Sequence, residues 1–211
     1  MDLKGRNFLT LKDFTAEEIA SAEKLLSGEL AKRNGDADLI VDAVGHAHID
    51  LAWLWPIRET RRKIVRTFAT QLNLIERYPG YVFTVSQAQQ LAWLKEDAPD
   101  LYARVKEQVT AGRIEIQGGT WVESDTYLPS GESLIRQFLY GKAFFREEFG
   151  KDPKTLWLPD AFGYTAMMPQ IAVQAGMESF LTTKLSWSAY DQFPFSSFVW
   201  RGEDGSELVA H

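Results

Sequence analysis

The sequence predicts an α/β fold with a mostly parallel, barrel-like sheet. Short runs of β-branched and aromatic residues alternate with longer amphipathic segments, and Gly, Pro and Asn mark the boundaries. A strand–helix pair recurs about four times, which is typical of parallel strands covered by helices. The chain has 211 residues, 45% of them hydrophobic, so it can bury a core of that kind.

Caps and turn residues mark the elements in the first half of the chain. Thr15 can cap a helix whose apolar residues recur at helical spacing. Tyr78-Pro79-Gly80 ends a second helix, and Pro99 breaks a third into two pieces. The predicted elements are, in order, helix 15–33, strand 39–50, helix 58–77, strand 81–87 and the helical residues 88–111.

The same alternation continues in the second half. Gly150 closes an amphipathic helix and Gly176 a short one, since glycine favours helix C-termini. Glu203-Asp204-Gly205 is typical of a hairpin turn. The predicted elements are strand 113–121, helix 131–149, strand 155–160, helix 169–175, strand 179–184 and a hairpin over 198–211. Parallel α/β folds place their chemistry at the carboxyl ends of the strands, so polar residues there are the candidates for function.

Composition excludes several classes of function. The formal net charge is −6 and no basic stripe is present, which argues against a nucleic-acid partner. The chain has no cysteine, so a metal could be held only by His, Asp or Glu. The first residues lack the apolar core of a signal peptide, and no run reaches the roughly 18 apolar residues of a membrane span. We therefore predict a cytoplasmic protein with no membrane partner.

Three side chains that can bind a metal lie at the end of the first predicted strand. If the strand continues to Asp50, its period of two turns His46, His48 and Asp50 to one face. Imidazole and carboxylate suit zinc, and three protein ligands with one open position are typical of a catalytic zinc. The pattern favours a Zn²⁺ site. The alternative is that the histidines only hydrogen-bond within the loop.

Two further segments place polar residues at strand ends. Asp160 ends an apolar strand, where a helix cap or turn is the alternative role. Gly118 and Gly119 allow a close backbone approach, and Trp121 and Asp125 follow them. The alternative there is a plain glycine turn with a buried tryptophan.

The segments GHAHIDLAWLWP, QGGTWVESDT and LPDAFGYTAMMPQI together resemble glycoside hydrolase family 38, the zinc-dependent α-mannosidases. The resemblance covers roughly residues 29–211. It implies retaining hydrolysis of α-mannosides, with a mannose-containing oligosaccharide or glycoside as substrate. It also implies that residues 29–211 are the N-terminal part of a β/α catalytic domain, preceded by a leader and helix over 1–28.

The resemblance assigns the metal ligands residue by residue. His48 and Asp50 match the family's zinc-binding His-x-Asp pair. Asp160 matches the nucleophile, which also contacts the zinc. His46 matches a histidine that is not itself a ligand, so the resemblance overrides the strand argument at that position.

Three more residues match positions near the family's bound sugar. Trp53 matches the aromatic residue that packs beneath the mannose. Asp125 matches a carboxylate near the sugar. Lys184 lies where many members have an arginine close to the site. A zinc ion that takes two adjacent sugar hydroxyls as ligands would favour mannose, whose axial 2-hydroxyl and equatorial 3-hydroxyl can chelate together.

Family members are several times longer than this chain, so we expect a truncated barrel. The family's fourth zinc ligand and its acid/base carboxylate lie beyond the matched region, which predicts weakened metal affinity and very low turnover. An open barrel edge predicts self-association. Separately, LKGRNFLTLKDFTAEEI resembles the opening of ornithine transcarbamoylases, but no later segment resembles that family's carbamoyl-phosphate loop.

Two alternative functions remain open from the sequence. The first is a non-catalytic fragment or chimera that binds metal or sugar. The second is an amidohydrolase-like metal hydrolase, which also places His-x-His after its first barrel strand. That site needs further histidines, and only His211 remains in this chain.

Overall fold

The computed structural model describes residues 15–31 and 42–211, which fall into two compact units, Met1–Ala43 and Val44–His211. The first unit contains helix α1, Ala16–Leu30. Thr15 caps α1 as predicted, in a reciprocal capping box with Glu18. Most of the ornithine transcarbamoylase-like segment and the start of the predicted strand 39–50 lie outside the described residues.

The second unit contains two sheets built mainly from parallel strands. The first has the order β1-β2-β3, all parallel; the second has the order β4-β5-β7-β6, in which only β6 runs antiparallel to its neighbour. The strands are β1 (Gly45–His46), β2 (Phe83–Gln87), β3 (Ile114–Thr120), β4 (Thr155–Trp157), β5 (Ser179–Leu181), β6 (Phe198–Arg201) and β7 (Glu207–Ala210). The predicted α/β class, the parallel pairing and the C-terminal hairpin are confirmed.

Helices connect the parallel strands except β5 and β7, whose connection contains a 3₁₀ turn and β6. They are α2 (Ile57–Arg77), α3 (Ala88–Asp97), α4 (Pro99–Thr110), α5 (Gly131–Phe149) and α6 (Met168–Gln174), with a 3₁₀ turn at Lys184–Ser186. The break at Pro99 and the end of α5 at Gly150, in the left-handed conformation with φ 64°, agree with the prediction. No helix of the described residues is long and apolar enough to cross a membrane.

Two buried clusters form the core of this unit. The first packs β2 and β3 against α2, α3 and α4, with Ile64, Phe68 and Leu91 fully or almost fully buried. The second packs β4, β5 and β7 against α6. Helix α5 contributes to both, since Phe145 lies in the first cluster and Phe138 in the second. It thereby ties β3, which contacts β4, to the second sheet.

The prediction of a strand continuing to Asp50 is wrong. Within the described residues the strand covers only Gly45–His46, and residues 47–50 are irregular. Among residues 15–31 and 42–211, β1 pairs with β2 alone and through those two residues, so no strand pairing extends it towards Asp50. The predicted strands ending at 160 and 184 are also shorter, stopping at Trp157 and Leu181. In each case the polar residues lie in the loop beyond the strand.

Helix α5 packs closely on the backbone of β3 at Gly141. A Cβ there would lie 2.4 Å from the carbonyl carbon of Thr120 and 2.6 Å from the oxygen of Gly119. Alanine normally stabilises a helix interior by about 1 kcal/mol over glycine, but this contact reverses the sign. We expect Gly141→Ala to lower the free energy of unfolding by about 1–3 kcal/mol in urea denaturation.

The matched control is Gly28→Ala in α1, where a Cβ meets nothing within 4 Å. That variant should be neutral or slightly stabilising. A Gly141→Ala protein as stable as the wild type would show that α5 and β3 do not pack this closely.

Candidate metal centre

Three side chains from two loops converge beyond the carboxyl ends of β1 and β4. His48 Nε2 lies 3.3 Å from Asp50 Oδ1 and 3.5 Å from Asp160 Oδ2. One ligand atom from each residue lies within 4.8 Å of the other two. Ligand atoms at about 2.0–2.2 Å from a tetrahedral ion stand roughly 3.3–3.6 Å apart, so the imidazole lies at the right distance from both carboxylates to share one small cation with them.

Glu123 contacts the nitrogen of His48 that faces away from the two aspartates. Its Oε2 lies 2.6 Å from His48 Nδ1, and its side chain is only 5% exposed. The hydrogen bond to Glu123 is the largest cause that raises the pKa of His48, to about 8, against the opposing effect of burial. A metal ion at Nε2 would therefore have to displace a proton.

His46 lies apart from the group formed by His48, Asp50 and Asp160. Its Nε2 lies 3.1 Å from Ser86 Oγ, and its ring packs on Trp157 with centroids 4.9 Å apart. Burial lowers its pKa. The strand argument placed His46 beside His48 on a ligand face. The structure turns it inward because the period of two ends where β1 ends.

Lys184 contacts the second oxygen of the Asp160 carboxylate. Its ammonium hydrogen-bonds Asp160 Oδ1 and is mostly buried. It lies over two aromatic rings, at 4.0 Å from the centroid of Trp187 and 5.1 Å from that of Phe162. Cation–π contacts of this kind hold an ammonium group in place. Asp160 is thus placed between His48 on one side and Lys184 on the other.

Exposed aromatic rings flank the centre. Trp53 and Phe162 are 51% and 72% exposed, and their ring centroids lie 6.1 Å apart. Large exposed aromatic rings beside a polar group offer a surface on which the apolar face of a small ligand can pack. Trp53 follows His48 and Asp50 in the same loop, and Phe162 follows Asp160.

Asp125 stabilises a turn. Its Oδ1 accepts hydrogen bonds from the backbone N–H groups of Tyr127 and Leu128, at 2.7 and 2.8 Å. This is the Asx-turn geometry that aspartate adopts readily. Trp121 packs against Phe144 and donates its indole N–H to Gln89, away from the three ligand residues.

Gly118 and Gly119 of β3 allow the chain that follows them, which carries Glu123, to lie close to His48. Both have a positive φ, and a Cβ on Gly118 would lie 2.2 Å from the carbonyl oxygen of Ser86. The β2–β3 register shifts between Val85 and Gln87, which is a bulge that these glycines permit. The chain beyond the bulge is thereby held tightly against the end of β2.

Glu123 and the buried end of β2 were not among the candidate residues from the sequence. Ser86 and Gln87 are each 2% exposed, which is unusual for polar residues without a function. Two features of the sequence could have indicated these residues. A Ser-Gln pair ends the apolar strand β2, and the glycine-rich segment contains a second carboxylate, Glu123, besides Asp125.

Comparison with protein families gives one match over most of the chain. A model of the "Glycosyl hydrolases family 38 N-terminal domain" matches residues 38–211, which contain every residue of the centre described above.

Two curated relatives are similar over nearly the whole sequence. Alpha-mannosidase G of Dictyostelium discoideum is 50% identical over 189 residues, covering 87% of this chain and 17% of that protein. Human alpha-mannosidase 2C1 is 48% identical over 195 residues, covering 92% of this chain and 19% of that protein. The chain therefore spans less than a fifth of the length of either relative.

A solved structure shows the same fold. The crystal structure of an alpha-mannosidase from Enterococcus faecalis V583 superposes with a TM-score of 0.71 at 26% sequence identity. The match covers 79% of this chain and 19% of that one.

Proposed function

The chain belongs to glycosyl hydrolase family 38, and we propose that its loops supply the zinc site and nucleophile for retaining hydrolysis of α-mannosides. One observation carries the proposal: three ligand atoms from His48, Asp50 and Asp160 lie together at the carboxyl ends of parallel strands. The named relatives are alpha-mannosidases, which supports a mannose-containing glycoside as the substrate. Because the chain covers less than a fifth of either relative, hydrolysis of α-mannosides by the whole protein is itself a proposal.

The donor set supports zinc as the metal. One imidazole nitrogen and two carboxylate oxygens are ligands that zinc accepts, and the spacing of His48 Nε2 from each aspartate matches tetrahedral coordination. Zinc held by three protein ligands keeps a position open for a ligand oxygen, as in catalytic sites. When bound, the ion supplies a Lewis acid to which sugar hydroxyls can coordinate.

Asp160 is the proposed nucleophile. Its carboxylate would form a bond to the anomeric carbon while the bond to the leaving oxygen breaks and that oxygen takes a proton from the second carboxyl group that retaining hydrolysis requires. Water would then hydrolyse the glycosyl ester and return a proton to that second carboxylate, which frees Asp160 and gives net retention. Lys184 contacts Oδ1 and would orient the carboxylate throughout. Trp53 and Phe162 would pack on the apolar face of the sugar ring, which orients the anomeric carbon. Asp125 would hold the loop beside the bound sugar in place, because its carboxylate stabilises the turn at Tyr127 and Leu128.

The amidohydrolase alternative receives no support from the site. It requires both histidines of His46-Ala47-His48 as ligands, whereas His46 contacts Ser86 and Trp157. The family match also argues against it.

Zinc binding tests the metal site. We expect the metal-free chain to bind one zinc ion in isothermal titration calorimetry, and His48→Ala and Asp160→Asn to lose at least about tenfold in affinity, because each removes one ligand. The control is His211→Ala, since His211 contacts Ser197 at the end of the chain and should leave affinity unchanged. A wild-type chain that binds no zinc, or equal losses in all three variants, would contradict the site.

Covalent trapping tests the nucleophile. In 5-fluoro-α-mannosyl fluoride the leaving fluoride needs no protonation, so attack by the Asp160 carboxylate releases fluoride and leaves a slowly hydrolysed ester. We expect mass spectrometry of the zinc-loaded chain to find one fluoromannosyl group, on the peptide that contains Asp160.

Asp160→Asn should remain unlabelled, whereas Asp191→Asn, which changes an exposed aspartate in another loop, should label like the wild type. Labelling of the Asp160→Asn protein at the wild-type rate, or no labelling of the wild type, would refute this role for Asp160.

A further inference from the structure

We propose that Glu123 is the positioning residue of this metal centre: it fixes the ring of His48 so that Nε2 faces Asp50 and Asp160. The inference rests on the proposed metal site and adds to it a residue with no ligand role of its own. Glu123 would act only through His48.

The two nitrogens of His48 have different partners. Nδ1 lies 2.6 Å from Glu123 Oε2, while Nε2 lies 3.3 Å from Asp50 and 3.5 Å from Asp160. A carboxylate can only accept, so Nδ1 carries a proton and donates it to Glu123. Rotating the ring would break this charge-assisted bond and turn Nε2 away from both aspartates. Such a bond both orients a metal-binding imidazole and increases its basicity.

Glu123 is itself held rigidly. Its Oε1 accepts the hydroxyl proton of Ser86 at 2.5 Å, and its backbone N–H donates to Gln87 Oε1 at 3.1 Å. The Gln87 amide also donates to the carbonyl of Ile49 at 3.1 Å. The end of β2 thus holds the loop that carries Glu123 and the loop that carries His48 at the same time.

The hydrogen bonds of Ser86 and His48 converge on Glu123, and His46 is linked to it through Ser86. Because Ser86 gives its only hydroxyl proton to Glu123, it must accept from His46, which makes His46 Nε2 a donor at 3.1 Å. Glu123 therefore accepts from both Ser86 and His48, which satisfies a carboxylate with a 5% exposed side chain. This gives His46 a place in the site as the donor that orients Ser86.

Metal affinity provides the first test. We expect Glu123→Ala to weaken zinc binding by about 10–100-fold in calorimetry, the loss that removal of such a partner typically causes. Glu123→Gln keeps an acceptor oxygen but loses the charge, so its loss should be smaller. The matched control is Glu107→Gln on the exposed surface of α4, which should bind like the wild type.

The proton on His48 provides a second test that needs no activity. With three histidines in the chain, imidazole N–H resonances can be assigned by nitrogen-15 NMR. The wild type should show a downfield His48 Nδ1–H signal protected from solvent exchange. Glu123→Ala should lose that signal, while Glu107→Gln should keep it.

If Glu123→Ala does not fold, the same two measurements, zinc affinity and the His48 Nδ1–H signal, are made on Glu123→Gln and Ser86→Ala. Ser86→Ala leaves the carboxylate in place, so it should keep the His48 signal and lose only a few-fold in zinc affinity. Zinc affinity equal to the wild type in a folded Glu123→Ala protein, or in Glu123→Gln with the downfield signal gone, would overturn the inference and leave the proposed function standing. A wild-type chain that binds no zinc would overturn both.

Discussion

Parallel pairing of the strands is the constraint on which the centre depends. Because β1, β2 and β3 run in the same direction, their carboxyl ends lie side by side. The loops that carry His48 and Glu123 therefore both begin beside the buried end of β2. β3 contacts β4, whose following loop brings Asp160 to His48. Helix α5 packs on β3 through Gly141 and joins the two buried clusters, so the distances in the centre are set by backbone packing as well as by side chains.

Much of the fold can be predicted from the sequence, because local signals determine it. Thr15 caps α1, Gly150 ends α5, Pro99 separates α3 from α4, and Asp204-Gly205 turns the hairpin. These residues act through their own backbone preferences, which do not depend on distant contacts. The grouping of His48, Asp50 and Asp160 without His46 is implied by the family resemblance. Parallel strands alone predict only that polar residues at their carboxyl ends lie near one another. The roles assigned to those residues remain predictions.

The rest depends on contacts that are distant in sequence. His46 and His48 are equivalent in the pattern, and only the end of β1 after His46 separates their directions. Glu123 is 75 residues from His48, and the β2–β3 bulge decides which carboxylate of its segment reaches the imidazole. The family resemblance instead indicates Asp125, whose side chain stabilises a turn. A register shift is not encoded in any local period, so the sequence shows two carboxylates in this segment but not which of them contacts His48.

In the proposed metal site one imidazole and two carboxylates are the ligands, and His46 is not one of them. X-ray absorption spectroscopy of the zinc-loaded chain at the zinc edge tests this most directly, because scattering from imidazole rings counts the histidine ligands. We expect one imidazole nitrogen together with oxygen ligands at about 2.0–2.2 Å. A shell with two imidazoles would place His46 or His211 on the metal and contradict the arrangement.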